Sequence, residues 1–312
     1  MKLYKDLSAE IPLHTVATIG IFDGVHLAHQ QIIRRLDEIK KKYQTLSTLV
    51  TLWPHPRYVL NKDAAGLQLL STLEEKLLRL EHSGIDQVLL IPFSAEFAAL
   101  PYDVFIHRVL VEKLRVRHLV VGFNHHFGKD RQGSYESLCN YGQQAGFTTE
   151  QLQKIEIDGE GVSSSRIRQF ILHGDLEHAN LMLGYPYTVS GNVIHGNKLG
   201  RAMGFPTANI ELPEIYKLLP AEGVYAIETN IDGKLFKGML NIGTRPTVDN
   251  RGHKVMEANF FDLEQDLYDK HLTLHFFKRI RAEKKFENLD LLKKQIETDR
   301  IEILNYFNKK KH

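Results

Sequence analysis

Cysteine is almost absent. Cys139 is the single one in 312 residues, which excludes a disulfide framework and a cysteine-rich zinc site and suits a reducing cytoplasm. Charge of one sign is also lacking. Forty Lys and Arg against 38 Asp and Glu leave a net +2, too little to draw nucleic acid or a membrane surface by bulk electrostatics. No stretch approaches the ~20 apolar residues of a membrane-spanning helix. Met1 to Thr15 is broken by charges and by Pro12 and has no apolar core of signal-peptide length. There is no internal repeat and no low-complexity segment. The closing Lys309-Lys310-Lys311 reads as a solvated tail rather than a nucleic-acid arm. The expectation is a cytoplasmic protein that handles small molecules, with no nucleic-acid or membrane partner.

What is present has the balance of a soluble globular chain, 43% hydrophobic and 25% charged, long enough for two domains. The first half alternates two periods. Strands are expected at Thr15–Phe22, Leu46–Leu52, Gln87–Ile91 and His118–Phe123. Helices are expected at Ala28–Lys42, from a capping box at Ser71-Thr72-Leu73-Glu74 with Leu77, Leu78 and Leu80 on its apolar face and Gly84 at its C-cap, and at Tyr102–Leu114. This alternation predicts a parallel sheet with crossover helices and ligand loops beyond the carboxyl ends of the strands. After Leu183 the pattern turns to strands: Tyr187–Ile194, Gly223–Ile231, Leu235–Ile242 joined to it by an Asp232-Gly233 turn, Val255–Phe261 and Leu272–Arg281. A long helix, Leu289–Phe307, closes the chain. A small β-barrel with a terminal helix is predicted, with the boundary near Leu183–Pro186.

Four segments of the first half can carry chemistry. In Gly20-Ile21-Phe22-Asp23-Gly24-Val25-His26-Leu27-Ala28-His29 a strand ends, the chain turns, and two histidines bracket a helix start. Helix N-termini attract phosphate, and histidines three apart share one face of the first turn. Both can donate hydrogen bonds to a polyphosphate and stabilise a leaving pyrophosphate. A zinc pair or two surface histidines would carry the same spacing. Trp53-Pro54-His55-Pro56-Arg57 is a proline-stiffened loop. Gly122-Phe123-Asn124-His125-His126-Phe127-Gly128-Lys129 follows the fourth strand. Val162-Ser163-Ser164-Ser165-Arg166-Ile167-Arg168 opens a helix ending before Gly174; its serines can be a plain cap, or with Arg166 a phosphate grip.

The second half has Gly191, Gly196, Lys198, Gly200 and Gly204, then Phe205-Pro206-Thr207-Ala208-Asn209. The run is neither a Walker loop nor a dinucleotide fingerprint. Its glycines suit either a backbone that closes on phosphates or an ordinary barrel loop. Glu257 lies on an expected strand, where a carboxylate is usually just solvated.

Taken in order, these segments resemble the bacterial bifunctional riboflavin kinase/FAD synthetase family. Gly20 to His29 is similar to the His-x-Gly-His signature of nucleotidyltransferases in that family's Gly-x-Phe-Asp-Gly-Val-His form, with Ala28 where the motif has glycine. Residues 54–56 are similar to its Pro-His-Pro loop, 122–128 to its Gly-x-Asn-x-x-Phe-Gly motif, and 204–209 to the riboflavin kinase Gly-x-Pro-Thr-Ala-Asn signature. Glu257, followed by Asp266-Leu267-Tyr268, is similar to the kinase's catalytic glutamate strand.

The resemblance implies a Rossmann-like α/β nucleotidyltransferase domain, residues 1–183, and a six-stranded flavokinase β-barrel with a C-terminal helix, residues 184–312. It implies formation of FMN from riboflavin and ATP, then of FAD from FMN and ATP, with Mg²⁺. It places His26, His29, Asn124, Ser164 and Arg166 at the adenylyl-transfer centre, and Gly20, Phe22, Asp23, Gly24, Gly196, Lys198, Gly200 and Gly204 around nucleotide. Thr207 and Asn209 would hold the metal, and Glu257 would be the general base. Pro54, His55, Pro56, Arg279, Arg281 and Phe286 are assigned to flavin or its phosphate.

Overall fold

The structure, a computed structural model, describes residues 1–8, 11, 14–60, 66–123, 126–129, 132–195, 204–245 and 253–309. The chain divides into two compact units, Met1–Leu69 with Leu73–Ser164, and Leu70–Thr72 with Ser165–His312.

The first unit is built on strands β1 (Lys2–Tyr4), β2 (Thr15–Ile19), β3 (Leu46–Trp53), β4 (Gln87–Pro92), β5 (Val116–Val121) and β6 (Thr148–Gln151). They form one sheet in the order β1-β4-β3-β2-β5-β6, and every neighbouring pair is parallel. Helices α1 (Leu27–Tyr43), α2 (Pro56–Val59), α3 (Leu73–Glu81), α4 (Ala95–Ala98), α5 (Tyr102–Phe105) and α6 (Tyr135–Ala145) connect them. Strand residues alternate between two cores, as the period of two requires. Val16, Leu49, Val88 and Val120 pack with Ile32, Ile33, Leu36 and Leu80 of α1 and α3. Ala17, Val50, Leu89, Leu119 and Val121 pack with Phe105, Ile106, Val109 and Leu138 on the other face. Strand β2 pairs with β3 on one side and with β5 on the other. The winding of the chain therefore reverses between β2 and β5, a topological switch point, and ligands usually bind beyond the carboxyl ends of the strands at such a point. A small antiparallel pair, β7 (Glu156–Ile157) and β8 (Glu160–Gly161), follows the sheet.

The second unit contains most of α7 (Ser164–His173), then α8 (Leu176–Leu183) and strands β9 (Tyr187–Ile194), β10 (Ala208–Glu211), β11 (Gly223–Ile231), β12 (Lys234–Arg245), β13 (His253–Phe260) and β14 (His271–Arg281). The six strands close into a barrel in the order β10-β13-β12-β11-β14-β9. Closure leaves no sheet edge to aggregate. Helix α9 (Leu289–Lys309) lays Ile303 and Phe307 against Val224, Ala226, Met239 and Phe277. One buried ion pair adds to this: Arg281 grips Asp299 of α9 at 2.9 Å, with the Asp299 side chain only 2% exposed. Gln295 donates to the same carboxylate at 2.8 Å. Removing one partner of a buried pair strands the other, so Asp299→Ala is expected to destabilise the second unit by about 3 kcal/mol. A lowered midpoint for that unit in thermal unfolding checks this.

Several sequence expectations shift here. The strand expected over Thr15–Phe22 stops at Ile19, because Phe22 takes a left-handed φ of 54° and begins the turn. The strand expected at His118–Phe123 runs over Val116–Val121. The helix expected at Tyr102–Leu114 is α-helical only to Phe105 and continues as a π-helical stretch, Ile106–Lys113. Leu78, expected on the apolar face of α3, is 57% exposed, while Lys76 is buried. At 100° per residue, Lys76 and Leu80 share the inward face and Leu78 lies away from it. Gly84 does take a left-handed φ of 86°, and Asp232 and Gly233 turn β11 into β12 at φ 52° and 82°.

Candidate active sites

The β2–α1 loop is held by sterics. Gly20 has no side chain because a Cβ there would sit 2.9 Å from the Phe22 ring. Phe22 is thereby tucked in at 1% exposure. Its ring lies 4.6 Å from that of His29. Gly24 supplies φ 79°, and even Val25 is at φ 38°, a conformation that a β-branched residue keeps only when its surroundings impose it. Gln30 fixes the turn from the helix side, its amide donating to the Val25 carbonyl at 2.9 Å. Ser164 donates to the Asp23 carbonyl at 3.0 Å, so the serine motif and the histidine motif meet within the first unit.

His26 occupies the N-cap of α1 and does not use its side chain as the cap. Its ring stacks on that of His29, with centroids 3.6 Å apart and planes at 18°. Imidazole lone pairs lie in the ring plane, so two stacked rings do not converge on one ion, and the zinc-pair reading loses its geometry. Among the described residues no group of three His, Cys, Asp or Glu is arranged to hold a metal ion. His29 retains some surface, but its Nδ1 is buried and has no hydrogen-bond partner among the described residues. Burial pushes the His29 pKa well below the usual 6.5, with the charges of His26 and Lys76 adding to the effect. The ring is neutral at pH 7 and presents one N–H donor without needing a counter-ion. The unfolded chain binds a proton that the native ring refuses, so this group lowers stability as pH falls below the ordinary imidazole range.

The other nucleotidyltransferase candidates are placed less fully. Asn124 lies outside the described residues. Trp53-Pro54 is a cis peptide bond. His55 caps α2, its Nδ1 accepting from the Arg57 N–H at 3.2 Å, and Pro56 begins that helix. Arg166, in the second unit, lies over the Phe170 ring at 5.2 Å and donates to Gln169 at 3.3 Å.

On the barrel, strand register builds the second constellation. Asn209 of β10 is directly opposite Glu257 of β13, and Glu257 is opposite Asn241 of β12. Their neighbours Ile210, Met256, Ala258, Leu240 and Ile242 are at most 5% exposed and fill the interior. By alternation Asn209, Glu257 and Asn241 share the outer face. Asn259, two residues beyond Glu257 on that face, donates to the Pro206 carbonyl at 2.7 Å and so anchors the loop ahead of Thr207. Thr207 lines a cleft with Pro206, Asp266, Leu267 and Tyr268, which brings the Pro-Thr-Ala-Asn and Asp-Leu-Tyr segments together. The hydroxyl of Thr207 and the amide oxygen of Asn209 are hard donors beside a carboxylate, a set that fits Mg²⁺ with nucleotide phosphates. Gly196, Lys198 and Gly200 lie outside the described residues. Gly204 has φ 82° and open space around its Cα.

Arg279, Arg281 and Phe286 are used in packing. Arg281 is committed to Asp299 and lies 5.6 Å from the Phe286 ring. Arg279 donates to the Glu222 carbonyl and packs against Gly174, where a Cβ would meet its Cδ at 2.6 Å. Asn241, Asn259 and Lys76 went unnoticed in the sequence. Only Lys76 left a signal there, a charge on the inward stripe of an amphipathic helix.

Both halves of the chain match known families. The family model for FAD synthetase matches residues 8–166 and that for riboflavin kinase residues 183–307. A bifunctional riboflavin kinase/FMN adenylyltransferase from Pseudomonas fluorescens is 38% identical, with 96% of each chain covered. One of the same name from Bacillus subtilis is 36% identical over 94% of this chain and 93% of its own. A crystal structure of a macrolide-efflux protein from Streptococcus pneumoniae superimposes with a TM-score of 0.89 at 29% identity, covering 97% of this chain and 98% of that one. Among the described residues no helix is long and apolar enough to cross a membrane.

Proposed function

The chain belongs to the bifunctional riboflavin kinase/FMN adenylyltransferase family, and from that premise we infer that it makes flavin cofactors in two steps. Riboflavin and ATP give FMN and ADP; FMN and ATP then give FAD and pyrophosphate. The observation that carries this reading is that each matched segment contains its own built constellation, a stacked histidine pair at a sheet switch point and a carboxylate registered against an asparagine on a barrel. The family boundary is assigned at residues 183/184, where the riboflavin kinase match starts, although α8 and most of α7 ahead of it fall in the second compact unit. A cytoplasmic setting accords with the single cysteine.

In the kinase step Glu257 takes the proton of the riboflavin 5′-hydroxyl as its oxygen attacks the γ-phosphorus, and ADP leaves. Thr207 and Asn209 would hold Mg²⁺, which supplies charge neutralisation on the phosphates. Asn241 and Asn209 flank the carboxylate, and Asn259 fixes the loop that presents Thr207. In the adenylyl step an FMN phosphate oxygen attacks the α-phosphorus. His26 and His29 donate hydrogen bonds to the triphosphate as pyrophosphate departs, and the first turn of α1 adds its N–H groups. Ser164 holds the loop at Asp23. Arg166 keeps the phosphate role that the family resemblance implies. No covalent enzyme intermediate is needed, and alignment with charge stabilisation lowers both barriers.

Incubation with riboflavin, ATP and Mg²⁺, with flavins separated over time, tests the reading. FMN should rise and then give way to FAD; riboflavin left unchanged would overturn it. Ala28, partly exposed on the first turn of α1, stands where the family motif has glycine. Ala28→Gly is expected to improve adenylyl transfer by letting the nucleotide approach the backbone. An unchanged rate and KM for ATP would make the alanine neutral.

A further inference from the structure

Lys76 is a charged residue in a place where α3 needs only an apolar one. It is 3% exposed, and lysines are seldom buried so deeply without a purpose. Its Nζ donates to the Ile21 carbonyl at 3.2 Å and to Thr51 Oγ1 at 3.3 Å. Thr51 Oγ1 donates to the same Ile21 carbonyl at 3.0 Å. The Trp53 ring lies 5.5 Å from the ammonium. Three elements thus converge on one carbonyl: α3, β3 and the loop that carries the histidine pair. That loop holds Phe22 and Val25 at positive φ, conformations that persist only where the surroundings impose them.

We propose that Lys76 is a positioning residue for adenylyl transfer, clamping the Ile21 carbonyl to β3 and placing one fixed positive charge near the His26–His29 stack. The proposal rests on the adenylyl-transfer reading of that site. Among the described residues, the titratable groups that act on Lys76 and His29 are Asp23 of the loop and the two histidines of α1; β3 contributes only Thr51 and Trp53. Burial lowers the Lys76 pKa to about 8, with Asp23 opposing. The ammonium is charged at pH 7 and releases its proton just above. Its charge adds to the burial that keeps His29 neutral. His29 can then act as a neutral donor while the charge of Lys76 stays in a group that does not touch the reacting atoms.

The test measures FMN adenylylation by the full chain against pH, with the dispersion of the first unit's NMR signals as the folding control and NMR titration of His29 as a readout independent of turnover. The wild type should lose adenylylation kcat/KM above about pH 8. Lys76→Arg, which stays charged, should keep adenylylation within about threefold and lose that alkaline limb. Lys76→Met should lose adenylylation by about 10-fold or more, as for a deleted charge-assisted hydrogen bond, and raise the pH at which His29 titrates. Lys76→Gln keeps an N–H donor and drops the charge, so it replaces the methionine variant if that one loses the signal dispersion of a folded first unit. Wild-type adenylylation with an unchanged His29 titration in either neutral variant would overturn the proposal, as would an alkaline limb that persists in Lys76→Arg. If the wild type makes no FAD while the His29 titration still moves in the variants, the charge placement stands and the adenylyl-transfer reading is what fails.

Discussion

Glu257→Gln is expected to stop FMN formation while FMN supplied directly is still converted to FAD at the wild-type rate. The substitution keeps the shape of the side chain between Asn209 and Asn241, its cross-strand neighbours, and removes only the ability to accept a proton. Positioned general bases contribute about 10²–10⁴-fold, and a loss in that range in riboflavin phosphorylation is the expected result. It should appear in kcat as well as in kcat/KM, because riboflavin and ATP still bind. Feeding riboflavin and FMN separately, and quantifying products by chromatography, separates the two reactions. A kinase rate within a few-fold of wild type would remove Glu257 from the base role and return it to the solvated carboxylates of the barrel surface.

His29→Ala should have the opposite signature: FAD synthesis falls by about 10²–10³-fold, as for a lost donor to developing charge, and riboflavin phosphorylation is unchanged. His26 and His29 are stacked at 3.6 Å, so each ring holds the other in place. The double variant with His26→Ala should then cost little more than the single one, the non-additivity of groups that act as a unit. The pH profile provides a second check. Burial first, then His26 and Lys76, hold the His29 pKa well below 6.5. Titration of His29 should therefore leave no limb in adenylyl transfer within the ordinary imidazole range. A decline centred on the usual imidazole pKa would mean that the ring is solvated during turnover.

Much of the architecture was legible from local pattern. Asp232-Gly233 marked a hairpin because both residues accept positive φ. The strand Gly223–Ile231 was bounded by its own turn signals and has those limits in the structure. The short strand Ala208–Glu211 was missed, since four residues behind a proline carry too little alternation to be read. The misplacement of β5 by two residues has a similar origin: Val116 to Phe123 is apolar enough at both ends that only the pairing of Val116 with Thr15 decides where it begins.

The candidate sites divide in the same way. The histidine pair, the serine segment and Thr207, Asn209 and Glu257 could be singled out because motif chemistry is written in contiguous residues. Neither the stacking of His26 on His29 nor the hydrogen bond from Ser164 to Asp23, 141 residues away, is visible in spacing. The same holds for Arg281. The family resemblance assigns it to flavin or its phosphate, and its ion pair with a buried aspartate on the last helix has no local signature.

The sequence by itself determined the two-part organisation, the class of each part and the family, because hydrophobic periodicity and short motifs depend on neighbours a few positions apart. Tertiary structure alone decided which side chains act together. Asn209 meets Glu257 only because the barrel closes in one register, and a slip of one residue would turn the carboxylate to the other face. Lys76 meets Ile21 only because α3 packs its inward stripe against the sheet. The charge state of His29 depends on burial and on charges brought from elsewhere in the chain, and these long-range Coulomb and solvation effects have no local signature in sequence.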